Sequence, residues 1–127
     1  MERMLRFRGF DSLKSKWIFG RGGFKFSDGN EFVILSFNAI RKVKKGTLGE
    51  FTGYHDVNGK EIFEGDIIQN THHEDNIYAV EFDNGAFYAF GDGETYVYLL
   101  RDLLEIAPFE VVGNVCEKKA LIDFLGD

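Results

Sequence analysis

The stretch Gly49–Gln69, GEFTGYHDVNGKEIFEGDIIQ, decides the fold. It carries two turn signals. Asn58-Gly59 joins two residues that tolerate positive φ, which is what a tight hairpin turn requires. Gly65-Asp66 separates Ile62 and Phe63 from Ile67 and Ile68. The runs around these turns are short, apolar and of strand length, and they place strands near Glu50–Tyr54, Lys60–Phe63 and Asp66–Asn70. Gly53 interrupts the first and predicts a bulge or a close backbone approach. Asp66 is expected to turn its carboxylate onto nearby backbone N–H groups, the common use of Asp in turns.

Working outward, the same grammar continues. Met4–Arg8 alternates, with Leu5 and Phe7 on one side and Arg6 and Arg8 on the other, as in a half-exposed strand with its basic residues outward. Asp11-Ser12 opens a turn, and KWIFG (Lys16–Gly20) is the returning strand. Gly20-Arg21-Gly22-Gly23 reads as a flexible break. A single Arg-Gly-Gly is a loop, since RNA-binding tails use many copies. Asp28-Gly29 is a turn, and EFVILSF (Glu31–Phe37) follows with no polar face to offer water. It is expected to be buried on both faces or at a subunit contact. Arg41–Gly46 is the densest basic cluster, either a solvated loop or a phosphate-contacting patch.

Asn84-Gly85 predicts a hairpin over Ile77–Phe90 in which Asp83 opposes Ala86, Phe82 opposes Phe87 and Val80 opposes Ala89. Phe82 and Phe87 should then touch. Gly91-Asp92-Gly93 is a further turn, and Thr95–Leu100 a further strand. Asp102–Glu105 is one helical turn before Pro108, and Phe109–Val115 is the last strand. Glu117–Leu125 spaces Leu121, Phe124 and Leu125 as a short amphipathic helix does.

Composition agrees with this reading. There are 14 Phe, five Tyr and one Trp, and large rings suit a pleated, half-buried surface better than a helix. Fifteen Gly with a single Pro fit many tight turns and no Pro-rich linker. At 127 residues the chain is one domain that can bury roughly two-thirds of its unfolded surface without a disulfide or metal. The lone cysteine, Cys116, cannot form an internal disulfide and is expected as a small buried residue near the last strand. With no apolar leader and no run of membrane-helix length, the expected location is the cytoplasm, away from membranes.

The net charge of −6 hides a division. Residues 1–45 carry 11 Lys/Arg and 4 Asp/Glu, a net +7, whereas residues 46–127 carry 4 and 17, a net −13. The basic part can pack on the acidic part of its own chain, on that of a neighbouring subunit, or on nucleic acid. For nucleic acid, Arg6, Arg8, Arg41, Lys42, Lys44 and Lys45 would supply the positive charge.

Catalytic chemistry is sparse. The serines stand in no nucleophile-elbow setting. Adjacent His72 and His73 would point to opposite faces of a strand and lack a third ligand at metal spacing, so no metal is expected. Glu64 and Asp66 could share a face and do acid–base work, but they bracket Gly65 in a turn, where capping is the ordinary role. The reading is no enzyme and no cofactor.

Three blocks of the chain resemble the YopX family, small proteins encoded by bacteriophages and prophages. The central pattern, F/Y-T-G-x-x-D-x-x-G-x-x-I-x-E-G-D-I, is met by Phe51, Thr52, Gly53, Asp56, Gly59, Ile62, Glu64, Gly65, Asp66 and Ile67. Arg6-Phe7-Arg8 with Asp11, Lys16 and Trp17 is similar to the family's opening, with Phe10 in the aromatic slot. Glu110–Val115 with Glu117 and Leu121 is similar to its closing block, although Cys116 replaces a tyrosine and Lys118-Lys119 replaces Asn-Pro. The resemblance implies a phage protein with a β-barrel-like fold and no established activity. It marks Gly53, Asp56, Gly59, Glu64, Gly65 and Asp66 as the structural motif.

The expected fold is therefore mainly β, an antiparallel and partly open barrel-like sheet with one short C-terminal helix. A single domain over 1–127 divides into a basic β segment (1–45), an acidic barrel part (46–116) and the helix (117–127). The expected function is that of a non-enzymatic phage accessory protein that binds a macromolecule. The expected partners are a second copy of the chain and a host or phage protein, with nucleic-acid binding through the basic segment as the alternative.

Overall fold

The computed structural model describes residues 5–91 and 97–116, and it is mainly β with one short helix. The chain divides into two compact units, residues 1–51 and 52–127.

The first unit holds β1 (Phe7–Asp11), β2 (Lys16–Gly20), β3 (Gly22–Lys25), β4 (Glu31–Ser36), β5 (Ala39–Val43) and the start of β6 (Gly49–His55). Strand β1 pairs antiparallel with β2, Phe10 opposite Trp17, and with β6, Phe7 opposite Glu50. A second sheet runs β3-β4-β5, also antiparallel. Val33, Val43 and Phe51, the last on β6, are the first unit's buried large apolar residues among those described. Close packing explains the glycines that read as a flexible break. A Cβ on Gly20 would collide with the Ile34 carbonyl oxygen, and one on Gly23 would lie 2.5 Å from Leu48 Cδ1. Gly22 and Gly23 accordingly begin strand β3.

EFVILSF is not buried on both faces within the chain. Pleating sends only Glu31 and Val33 into the interior, while Phe32 and Ile34 on the other face are half-buried. Phe37 lies in the β4–β5 turn, 98% exposed. The inward Glu31 is satisfied by backbone. Its two carboxylate oxygens accept the Gly46 and Leu48 N–H groups, each at 2.9 Å, and so fix the turn after β5.

The second unit contains the rest of β6, β7 (Glu61–Phe63), β8 (Asp66–Asn70), β9 (Ile77–Asp83), β10 (Ala86–Phe90), β11 (Val97–Leu99), α1 (Leu100–Ile106) and β12 (Phe109–Asn114). Its five-stranded sheet has the order β11-β10-β9-β8-β12, antiparallel throughout. Ile62, Ile68, Val80, Ala89, Leu100, Leu103 and Phe109 form the core. The fold as a whole is antiparallel β with one sheet curled into a half-barrel.

The Asn84-Gly85 hairpin has the expected register, with Phe82 opposite Phe87 and their rings 5.0 Å apart, edge to face. Both turn residues have positive φ, 47° and 83°. Helix α1 is longer than the single turn expected, because Leu100 and Leu103, one turn apart, both reach the core. Cys116 is exposed rather than buried, since it follows β12 in a turn beyond the core. The predicted helix over 117–125 lies outside the described residues, as do Asp92 and Gly93 of the predicted turn. Among the described residues no helix is long and apolar enough to cross a membrane.

Candidate functional site

The conspicuous surface of the first unit is the outer face of the β3-β4-β5 sheet. The register puts Phe24, Phe32 and Lys42 in one row, and Ile34 with Ile40 in the next. Phe24 and Phe32 stack 5.0 Å apart with ring planes 15° from parallel, and Phe26 lies within 5.2 Å of both. Phe26 is 52% exposed and Ile40 58% exposed. Phe37 stands at the end of the same sheet. Aromatic and β-branched residues at cross-strand positions make the sheet stable, but here they also leave apolar area facing solvent.

Beside it is a cleft of about 370 Å³ lined by Asp11, Ser12, Leu13, Asn30 and residues 41–45. Two hydrogen bonds set its shape, one between backbones and one from backbone to side chain. The Lys44 N–H donates to the Phe10 carbonyl at 2.8 Å, and the Phe10 N–H donates to Thr47 Oγ1 at 3.0 Å. Thr47 in turn donates to the Lys44 carbonyl. Asp11 Oδ1 accepts the Leu13 and Lys14 N–H groups at 3.0 and 3.2 Å and caps the β1–β2 turn. Asp11 Oδ2 sits 3.4 Å from Arg41 Nη1, an ion pair, yet it makes no hydrogen bond among the described residues. Lys42, Lys44 and Lys45 are exposed, so four cations border one buried carboxylate.

The six predicted basic residues thus separate into two sets. Arg41, Lys42, Lys44 and Lys45 come together in the cleft. Arg6 and Arg8 do not line it. They lie on β1 or just before it, with the Arg6 guanidinium 4.7 Å from the Phe19 ring centroid and the Arg8 guanidinium 4.4 Å from that of Trp17. Arg8 is buried rather than outward, because cation–π packing covers its planar head. Arg41 also departs from the loop expected for it, since it belongs to strand β5.

The second unit explains the motif residues as architecture. Asp56 Oδ1 accepts the Asn58 and Lys60 N–H groups, both at 2.8 Å, and Oδ2 accepts the Val111 N–H at 3.0 Å. Burial pushes the Asp56 carboxyl up, but these three backbone donors and the Lys60 charge outweigh it and hold the group below its ordinary value. Gly59 and Gly65 have φ of 83° and 93°, a region that favours glycine. Gly53, at φ 90°, has open space where a Cβ would sit, so conformation rather than close approach selects it. Asp66 Oδ2 accepts the Phe63 N–H at 2.8 Å, the capping role expected of it. Asp66 is 1% exposed and its neighbour Glu64 is half-buried. His72 and His73 are exposed, with their backbone N–H groups on Asn70 Oδ1.

Sequence reasoning missed Asp11 and Glu31 as buried caps and Phe24 with Phe26 as part of an aromatic face. The strand registers carry that signal, and composition does not.

Fold and surfaces define a small antiparallel β protein whose motif residues build turns and whose first unit bears an aromatic face and a basic cleft. The chain belongs to the YopX protein family, whose model matches residues 6–123, nearly its whole length. Membership suggests a phage-type protein, and the family brings no known activity. The crystal structure of protein EF1440 from Enterococcus faecalis is similar in fold, with a TM-score of 0.56 and 21% identity, over 95% of this chain and 99% of that one. No curated protein matches the chain.

Proposed function

We propose that this is a non-enzymatic phage accessory protein that acts by binding protein, through the outer face of the β3-β4-β5 sheet. The carrying observation is the cluster of Phe24, Phe26, Phe32, Ile34 and Ile40 on one side of that sheet, with Phe26 and Ile40 more than half exposed. Exposed apolar patches of this kind are usually covered by a partner. Against an enzyme stands the state of Asp66, which is buried and engaged with the Phe63 N–H, so it cannot reach a substrate.

The first occupant we assign is a second copy of the chain. Residues 1–45 carry +7 and residues 46–127 carry −13, so each copy offers both signs. Charge would set register while the apolar residues supply most of the affinity. A host or phage protein is the further partner. Affinity capture from infected cells, with wild type compared against Ile40→Asp, tests this. A partner retained by wild type and lost by the variant supports the reading, whereas equal capture by both refutes it.

A second reading is nucleic-acid binding by the basic segment, favoured by the convergence of Arg41, Lys42, Lys44 and Lys45 on one cleft. The acidic remainder opposes it. Gel shifts at low salt decide it: binding must occur and must be lost when Lys44 and Lys45 become Glu.

A further inference from the structure

The cleft of the first unit has features that a merely solvated basic patch does not need. Its lining combines the cations Arg41, Lys42, Lys44 and Lys45 with the Asp11 carboxylate, whose side chain is only 3% exposed. Asp11 Oδ2 has an ion-pair partner in Arg41 but no hydrogen-bond donor, and a buried carboxylate oxygen normally has one. Its volume of about 370 Å³ lies within the range of small-ligand sites.

We propose that this cleft binds one nucleotide unit, with the phosphate on the lysines and a base or sugar N–H or O–H donor on Asp11 Oδ2. Lys42 and Lys44 act as point charges suited to a phosphate, while Lys45 Nζ donates to the Asp28 carbonyl at 3.4 Å at the cleft's edge. Arg41 is held by Asp11 and presents a planar guanidinium on which a base can stack. Leu13, 94% exposed on the β1–β2 turn, adds an apolar rim. The unit is either a free nucleotide or one nucleotide of a single strand. The inference does not rest on the protein-docking reading. Its single-strand form rests on the nucleic-acid reading and gives it a defined site.

The test is calorimetric titration of the full chain at low salt with AMP, GMP, inorganic phosphate and a short single-stranded oligothymidylate. The mononucleotides should bind saturably, and Lys42→Ala with Lys44→Ala should weaken them by about tenfold or more, the scale of one lost charge-assisted contact. Asp11→Asn retains a side-chain oxygen for the turn but loses the anionic acceptor. It should weaken mononucleotide binding while leaving inorganic phosphate no weaker. If that variant fails to fold, the exposed lysine pair alone carries the test. Oligothymidylate binding lost with the lysine pair identifies a strand, and mononucleotide binding without oligothymidylate binding identifies a free nucleotide and removes the nucleic-acid reading. No saturable mononucleotide binding up to about 1 mM, or binding unchanged in the lysine variant, overturns the site. Oligothymidylate binding that ignores the lysine pair overturns this cleft and leaves the nucleic-acid reading standing.

Discussion

The Asp56 carboxylate accepts the backbone N–H of Val111 at 3.0 Å, joining the loop after β6 to the last strand across 55 residues of sequence. The Val57 N–H donates to the Phe109 carbonyl at 2.9 Å and runs alongside it. One side chain therefore organises its own turn and ties β12 to it. Asp56→Asn keeps an oxygen for the Asn58 and Lys60 N–H groups but turns an amide N–H toward the Val111 N–H. Losing the acceptor for a partly buried donor costs about 1 kcal/mol, the low end of the range for a buried unpaired group. Urea denaturation should show a lower midpoint with an unchanged slope.

The same carboxyl sets an acid limit. Its folded pKa is below the ordinary value of 3.8, so the unfolded chain takes up the proton first as pH falls. Its contribution is complete above the unfolded pKa and is lost as pH drops through the lowered folded value. Stability measured by urea should fall as pH drops below about 4, the ordinary carboxylate range. The fall should be shallower in Asp56→Asn. Equal slopes in the two proteins would deny Asp56 this role.

Turn positions in this protein were legible because their chemistry is local. Asn84-Gly85 specifies positive φ at both residues, and the register of ten residues of hairpin follows from it. Asp66 likewise acts three residues from its partner, Phe63. The roles of Asp11, Glu31 and Gly20 were hidden because they depend on neighbours distant in sequence. Glu31 is one charged residue at the head of an apolar run, and only the approach of Gly46 and Leu48 makes it a cap. Gly20 looks like a hinge until the Ile34 carbonyl is placed against it. The basic cleft was half legible. The cluster at residues 41–45 is plain, but its meeting with Asp11 is tertiary, and the alternation of Leu5 to Arg8 gave no sign that rings would cover Arg8.

Gly20→Ala should therefore destabilise the first unit even though its backbone φ is ordinary for other residues. The added methyl meets main-chain atoms of β4, and overpacking of this kind costs roughly 1–3 kcal/mol. Gly85→Ala, by contrast, meets open space and suffers only its φ of 83°, so about 1 kcal/mol is expected. Thermal unfolding of the two variants side by side should rank Gly20→Ala as the more damaging.

Glu31→Gln is expected to weaken the turn after β5. The carboxylate accepts from two backbone N–H groups, and the amide offers only one oxygen to replace two. Amide hydrogen exchange at Gly46 and Leu48 should accelerate, while exchange in the second unit stays as in the wild type.

If the outer face of β3-β4-β5 is a protein-binding surface first filled by a second copy, the mass of the protein in solution will show it. Light scattering coupled to size exclusion should give a mass above 14.5 kDa at physiological salt. At 1 M salt, where screening length falls to about 3 Å, the oligomer should loosen without disappearing, because apolar contact survives screening. Ile40→Asp, a change at an exposed position, should return the chain to monomer with its fold intact. A strict monomer at high micromolar concentration and low salt, or an oligomer indifferent to Ile40→Asp, would contradict the claim.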